Sequence, residues 1–419
     1  MQGKTALVLT ITTTFLMFLC LAGLVRVTSR TVTGTEDRKT GAYYYIWYGL
    51  NTSSGYNTNW ENKTETPYMG EYSSSDPDVA DQHILWAKLN KIDFFAVSWL
   101  GTFNWFDHLA IDKNLQNGFL KAKQLGDFSF CLLYESEIIL NSVYNKFYAT
   151  GLGGDNPTDF FRSTFSNDID YAAQNYFSHP SYLRIEGKPV LFLHNLPYLC
   201  QNLSAPQVHA MLVGLRQRVA NNIYLVACVG GGPNRTSLGF QLPDFMDVLD
   251  AATSYLFSSP SKGWSGILED AERYYHDWHS YMASQGKQFI PSAYPGYNAT
   301  KGGISATLSV NATEFRDFLQ IALNNVDKNG IAMITSWNEW KESTAIEPSM
   351  EFGHQLLDIV YEIPELPSTF ILLIVLLATA SPVLVYRKKC LSDEETRTKE
   401  KSKGLAHAAE DCRGEPGHG

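Results

Sequence analysis

Along the middle of the chain, short apolar runs end in aromatic or polar residues and give way to longer stretches with helical spacing, eight times over. The runs are "GAYYYIWYG" (41–49), "DFFAVSWLG" (93–101), "FSFCLLYE" (128–135), "KPVLFLHN" (188–195), "NIYLVACVGG" (222–231), "VLDAATSYLF" (248–257), "KQFIPSAYPG" (287–296) and "GIAMITSWNEW" (330–340). They are mostly apolar without strict alternation, the pattern of parallel strands covered on both faces. Between them, "DPDVADQHILWAKLNKI", "SAPQVHAMLVGLRQRVAN" and "NATEFRDFLQIALNNV" place apolar residues at helical spacing. The second opens with Ser204 and Pro206 where a cap and a first turn belong. Strands alternating with helices in this way predict an α/β fold, a (β/α)8 TIM-like barrel over residues 41–362. A doubly wound open sheet would carry a Gly-rich phosphate turn after an early strand. "VGGGPNR" (229–235) follows the fifth run and lacks the G-x-G-x-x-G spacing.

Two apolar segments flank this region. Residues 1–30 hold Lys4 and the run Ala6–Val25, which suits a signal peptide or a signal anchor. "STFILLIVLLATASPVLVY" (368–386) has about the length of a membrane span, roughly 20 residues, and Arg387, Lys388 and Lys389 follow at once. That order places residues 387–419, polar and mixed in charge, as a disordered cytoplasmic tail. Six N-x-[ST] sequons, at Asn51, Asn62, Asn202, Asn234, Asn298 and Asn311, lie between the two segments and none in the tail. Together these features predict a membrane-anchored, N-glycosylated domain facing the Golgi lumen, another secretory compartment or the cell exterior. Cys131, Cys200 and Cys228 are the only cysteines of that domain. An odd count excludes a disulfide framework and leaves either one bridge, such as Cys200–Cys228, or buried thiols. Cys390, beside the span, suits palmitoylation or stays free.

Composition narrows the function. The 419 residues carry a formal charge of -10, against a nucleic-acid partner, which needs a basic face. Aromatic residues reach 13%, which suits a large core or a carbohydrate groove, since rings pack on the apolar faces of sugars. "HDWH" offers His276 and His279 on a helical pattern without a matching ligand set, so no metal and no cofactor are expected. No G-x-S-x-G elbow is present.

In a barrel, chemistry sits at the carboxyl ends of the strands. Those ends supply Trp47 and Tyr48, Ser98 and Trp99, Tyr134 and Glu135, His194 and Asn195, Ser254 and Tyr255, Tyr294 and Tyr297, then Asn338, Glu339, Trp340 and Glu342. Aromatics, amides and acids together suit a sugar site. Glycoside cleavage ordinarily uses two carboxyl groups, one to protonate the leaving oxygen and one as nucleophile or base. Glu339 and Glu342 are three apart, and on a helical turn their Cβ atoms would be about 5–6 Å apart. Such neighbours push one another's pKa apart, which keeps one protonated.

Four stretches carry a family resemblance: "YYYIWYG", "YSSSDPDVADQHILWAKLNKIDFFAVSW", "PGYN" at 295–298 and "ITSWNEWKESTAIEP" at 334–348. Over about residues 41–360 the chain resembles the endo-α-1,2-mannosidases of glycoside hydrolase family 99, and more loosely the WbsX-type glycan enzymes. The resemblance implies endo-acting, retaining cleavage of α-mannosides on a (β/α)8 barrel. It gives Glu339 the role of base on the sugar 2-hydroxyl, which attacks the anomeric carbon to form an anhydro-sugar, and Glu342 the role of acid and then base. Glu135 matches a substrate-binding position, with Trp47, Tyr48, Trp99, Tyr255, Tyr297, Asn338 and Trp340 as further binding candidates. Glu347 is expected to support the site rather than react. The family motif has His and Gly around its second glutamate, where Lys341 and Ser343 stand here. A lysine beside the acid would favour its ionised form if it pointed that way. Two other classes share these features: a glycan-binding protein that kept the groove without activity, and a WbsX-type glycan-transferring enzyme.

Overall fold

β-rich runs bounded by capped helices fold as their pattern dictates in the computed structural model, which describes residues 38–49, 59–103, 108–150, 156–230, 240–256, 258–300, 307–327 and 330–363. The apolar segments at 6–25 and 368–386, the tail, Cys390, and the sequons Asn51 and Asn234 lie outside the described residues. Among the described residues no helix is long and apolar enough to cross a membrane.

The strands are β1 (Lys39–Tyr44), β2 (Phe94–Trp99), β3 (Ser129–Tyr134), β4 (Arg184–Ile185), β5 (Lys188–Leu193), β6 (Tyr224–Cys228), β7 (Ala251–Thr253), β8 (Gln288–Ile290), β9 (Ser292–Ala293), β10 (Tyr297–Asn298), β11 (Thr307–Leu308) and β12 (Ile331–Ile334). The helices are α1 (Pro77–Leu89), α2 (His108–Asn117), α3 (Ser136–Thr150), α4 (Pro157–Asn175), α5 (Leu196–Asn202), α6 (Ala205–Arg218), α7 (Gly263–Ser284), α8 (Ala312–Asn324) and α9 (Gln355–Glu362). Each of the apolar runs contains a strand. Helix starts follow the caps: Asp76 accepts from the Asp78 N–H at α1, and Asn311 accepts from the Thr313 and Glu314 N–H groups at α8. Ser204 and Gln207 form a capping box at α6.

Hydrogen bonding runs β8–β7–β6–β5–β3–β2–β1–β12–β9, a nearly closed parallel barrel of nine strands wrapped by helices. Its two ends are neighbours in the chain, parted only by Pro291, whose carbonyl accepts from the Met333 N–H at 2.8 Å. A proline has no N–H for a ladder, so the run "QFIPSA" splits there; one half pairs with β7 and the other with β12. β4 adds an antiparallel edge to β5, and β10 and β11 form a separate two-stranded ribbon.

Parallel partners at the same register point to the same face. Gly41 pairs with Phe94, Tyr43 with Ala96, Ala96 with Cys131 and Cys228 with Thr253. A Cβ on Gly41 would lie 2.2 Å from the Phe94 ring, so glycine alone lets these strands pair there. Tyr43 fills the barrel interior, its ring edge-on to Phe192 at 6.0 Å and its hydroxyl 3.5 Å from Thr253 Oγ1. The three domain cysteines are free and buried, so the Cys200–Cys228 bridge is not formed. Cys228 lies on barrel strand β6 and Cys200 on α5, and burial pushes the Cys200 thiol up to about 12.

Candidate active site

The same two-residue period decides which side chains reach the carboxyl-end mouth of the barrel. Continuing the inward rows one step brings Tyr45, Ser98, Glu135, His194 and Tyr255 together. Ser98 Oγ donates to Glu135 Oε1 at 2.8 Å, and His194 Nδ1 lies 3.2 Å from Glu135 Oε2. The His194 ring meets Tyr255 edge-on at 5.2 Å, and the Tyr255 and Tyr45 hydroxyls are 2.6 Å apart. Trp47, half-buried, packs on Tyr45 with ring centroids 4.5 Å apart.

The segment after β12 supplies the two acids, held in a turn rather than a helix. The Glu339 N–H donates to Ser336 Oγ at 2.7 Å, and the Glu342 N–H donates to the Glu339 carbonyl at 3.3 Å, which folds the two glutamates side by side. The return leg is tied down by the Ser336 N–H to the Thr344 carbonyl and the Glu347 N–H to the Trp337 carbonyl, both at 2.8 Å. Tyr297 closes the rim: it is buried, and the next residue, Asn298, donates its N–H to the Glu342 carbonyl at 2.6 Å.

Asn338, Tyr48 and Trp340 are fully buried and hold the turn in place. Asn338 Oδ1 accepts the Tyr45 N–H at 2.7 Å and its Nδ2 donates to the Tyr45 carbonyl at 2.9 Å, joining the ends of β12 and β1. Tyr48 donates its hydroxyl to the Asn338 carbonyl at 2.7 Å and accepts the Trp340 N–H at 3.2 Å. Trp99 goes elsewhere. It follows Ser98 and so faces outward, where its indole donates to Asp112 Oδ1 on α2 at 2.9 Å and packs against Tyr171 and Tyr176. The structure therefore brings Glu135, Tyr255, Tyr297, Glu339 and Glu342 together with Trp47 at the rim, and leaves Trp99 in the helical layer. Ser98 and His194, named at the strand ends without a specific role, join the cluster, and so does Tyr45, which the sequence did not single out; the alternation of inward and outward residues is the signal for it.

Burial raises all three carboxyls above the usual glutamate range. Glu342 rises to about 7, through burial first and the Glu135 charge second. Glu339 is raised well above that range by burial and by Glu342, and is pulled back by the Lys341 N–H, which it accepts at 3.2 Å, and by the Lys341 ammonium. Glu342 Oε2 is buried with no hydrogen-bond partner among the described residues. A shared negative charge is therefore better placed on Glu339, which has a donor in the Lys341 N–H and the ammonium charge of Lys341 to favour it, and the proton on Glu342, whose buried Oε2 has no donor. Glu135 is raised by burial, against His194 and Ser98.

The Lys341 ammonium points to Asn59, donating to its Oδ1 at 2.7 Å, and its charge bears on Glu339. It favours the ionised form of the base, not of the acid. Ser343 holds φ at 52°, the left-handed region in which glycine is at ease. Of the described sequons, Asn62, Asn202 and Asn311 are exposed and Asn298 half-buried. His279 pairs with Asp327 at 2.7 Å, and no group of metal-ligating side chains occurs among the described residues.

The sequence model of the family described as glycosyltransferase WbsX matches residues 61–360. The chain is 22% identical over 352 residues to the human glycoprotein endo-alpha-1,2-mannosidase-like protein, covering 74% of this chain and 68% of that protein. The mouse counterpart is 23% identical, with 74% and 69% covered. Among solved structures, the GH99 endo-alpha-mannosidase from Bacteroides thetaiotaomicron superposes with a TM-score of 0.53 at 21% identity, over 77% of this chain and 95% of that one. A glycoside hydrolase-like protein superposes with a TM-score of 0.58 at 22% identity, over 78% and 94%. At such identities the superpositions speak for the fold.

Proposed function

The chain belongs to the glycosyltransferase WbsX family, and we propose that within it this protein is a retaining glycoside hydrolase that cleaves internal α-mannosidic linkages of glycans on a (β/α)8 barrel. One observation carries this reading: Glu339 and Glu342 are folded side by side after β12, one with a donor for a charge and the other with a buried oxygen that has none. Glu339 takes the proton of the sugar 2-hydroxyl as its oxygen attacks the anomeric carbon. The glycosidic C–O bond breaks, and Glu342 gives its proton to the leaving oxygen. Water then opens the anhydro-sugar: Glu342 removes a proton from the water, and Glu339 returns one to the 2-oxygen. Two inversions leave the configuration retained, with no enzymic nucleophile. Glu135, Tyr255, Tyr297 and Trp47 bind the sugar; Tyr48, Asn338 and Trp340 bind it only through the shape they impose on the turn.

The apolar segments and the exposed sequons favour a membrane-anchored enzyme with its barrel in a secretory compartment or outside the cell. The family description favours one other reading, transfer of the released sugar to a glycan hydroxyl instead of water, by the same two acids. The full chain and its Glu342→Gln variant, incubated with a panel of α-mannosidic glycans, separate these readings. Release of an oligosaccharide of retained anomeric configuration by the native chain, reduced at least about 100-fold by Glu342→Gln, is expected. Elongated glycans would mark a transferase. Equal binding by both chains with no product from either would mark a glycan-binding protein and overturn the proposal.

A further inference from the structure

Behind the acid pair lies a buried polar chain that the proposed chemistry leaves without a task. Glu347, at the end of the turn, is 2% exposed, and His83, on α1, is wholly buried. Glu347 Oε1 lies 3.1 Å from His83 Nε2, close enough for an ion pair though not aligned as a hydrogen bond. His83 Nδ1 in turn meets the Tyr44 hydroxyl at 3.0 Å. Glu347 Oε2 accepts the Tyr72 hydroxyl at 2.7 Å. Tyr72 has a single hydroxyl proton, and Glu347 takes it. Its oxygen is then left to accept, from Asn338 Nδ2 at 3.1 Å and Trp340 Nε1 at 3.3 Å.

These two donors flank Glu339 in the chain. An acceptor at Glu347 thus sets the direction of the bonds that pass through Tyr72: carboxylate, phenol, then the Asn338 amide and the Trp340 indole. We propose that Glu347 is a positioning residue which, through Tyr72, fixes the Asn338–Trp340 segment and so aims Glu339 at the substrate, with His83 holding the carboxylate from behind. This rests on the assignment of Glu339 as base. Glu347 touches no reacting atom, and the distance it spans to the base runs through one hydroxyl. Losing it leaves a buried phenol to turn its proton elsewhere, and the turn loses its carboxylate contact with His83 on α1. A misplacement of about 1 Å at a reacting group costs about 100-fold in rate.

The test uses the full chain. Glu347→Ala is expected to lower kcat about 100-fold with KM within about threefold of the native value. Glu347→Gln, which can still accept from Tyr72, should recover at least about tenfold of that loss, a rescue that mere filling of space would not explain. Adding Tyr72→Phe to Glu347→Ala should cost little more, since both cut the same chain of bonds. Amide hydrogen exchange gives a readout without substrate: the Glu339 and Trp340 N–H groups should exchange at least about tenfold faster in Glu347→Ala, with β2 and β3 amides unchanged. Should Glu347→Ala fail to fold, Tyr72→Phe, which keeps the ring, carries the same measurements. A raised KM with unchanged kcat, or unchanged exchange at Glu339 and Trp340, overturns the proposal. A native chain with no activity on α-mannosides would refute the functional reading alone, and the exchange arm would still decide this one.

Discussion

Glu135→Gln removes a charge from the site while keeping its shape, and it tests whether that charge sets the protonation of the acid. A glutamine there keeps an acceptor for Ser98 Oγ, now at 2.8 Å from Glu135 Oε1, and offers an amide N–H to His194 Nδ1, now 3.2 Å from Oε2. Glu342 stands at about 7 rather than near 4.5, with burial the larger cause and Glu135 the smaller. Glu135 thus adds to the rise, as the smaller of its two causes. Glu342 acts as acid only while protonated, so activity falls as pH passes above its pKa. Removing the negative neighbour lowers that pKa, and the alkaline limb of kcat/KM should move from about 7 to lower pH. Glu339 feels Glu135 as the last of its influences, so the acidic limb should move less. Initial rates on an α-mannosidic glycan from pH 4 to 9, at constant ionic strength, read the limb's position apart from any loss of substrate contact in the plateau. A limb that stays in place, or moves to higher pH, would refute the reasoning.

Glu342→Gln has a second consequence, for stability. A carboxyl near 4.5 unfolded and about 7 folded binds its proton more tightly in the native state, so its contribution is fully present below about pH 4.5 and is lost as pH rises through 7, by about 3 kcal/mol. The variant should therefore out-melt the native chain at pH 8 and match it near pH 4; an equal difference in Tm at both pH values would count against this. Ser343→Gly relieves the left-handed backbone at φ 52° and should raise stability by about 0.5–1 kcal/mol in urea unfolding, with activity kept; a loss of stability would show that the Ser343 side chain matters more than its strain. Trp99→Phe removes the indole N–H from Asp112 and should cost about 1–3 kcal/mol, with kcat and KM within about twofold of native; a large rise in KM would return Trp99 to the substrate groove.

Much of the fold was legible because each level of the sequence agrees with the next. Every apolar run contains a strand, and Asp76, Ser204 and Asn311 sit where three helices begin. The interruption at Pro291 was in plain view, yet its effect depended on which neighbours each half would meet. The direction of side chains at strand ends was harder. Strands buried on both faces show no polar alternation, so Ser98 and Trp99 were equal candidates until the pairing of β2 with β3 placed Ser98 beside Glu135. Tyr45 was hidden by the same ambiguity, and His194 could not be told from Asn195 beside it. Nor could local sequence reveal the Asn338–Tyr45 bonds, which join residues 293 positions apart.

The two departures from the family motif sit on either side of Glu342, and the geometry separates their consequences. A lysine next to an acid threatens it only if the ammonium reaches the carboxyl. Lys341 instead extends to Asn59, whose own amide donates to the Trp47 carbonyl at 3.0 Å, so the charge is tethered to the end of the first strand. From there it acts on Glu339, as does the Lys341 N–H. A base needs its charge stabilised and an acid needs its charge discouraged, so the direction of this one side chain helps the base and leaves the acid to its burial. Ser343 has no such effect on either carboxyl: its burden is the backbone alone, at the point where the chain must reverse to bring Glu347 back beneath the pair. Chemistry and backbone strain are thus carried by different residues of one short turn, and that is why changes at 341 should appear in pH profiles while changes at 343 should appear in melting curves.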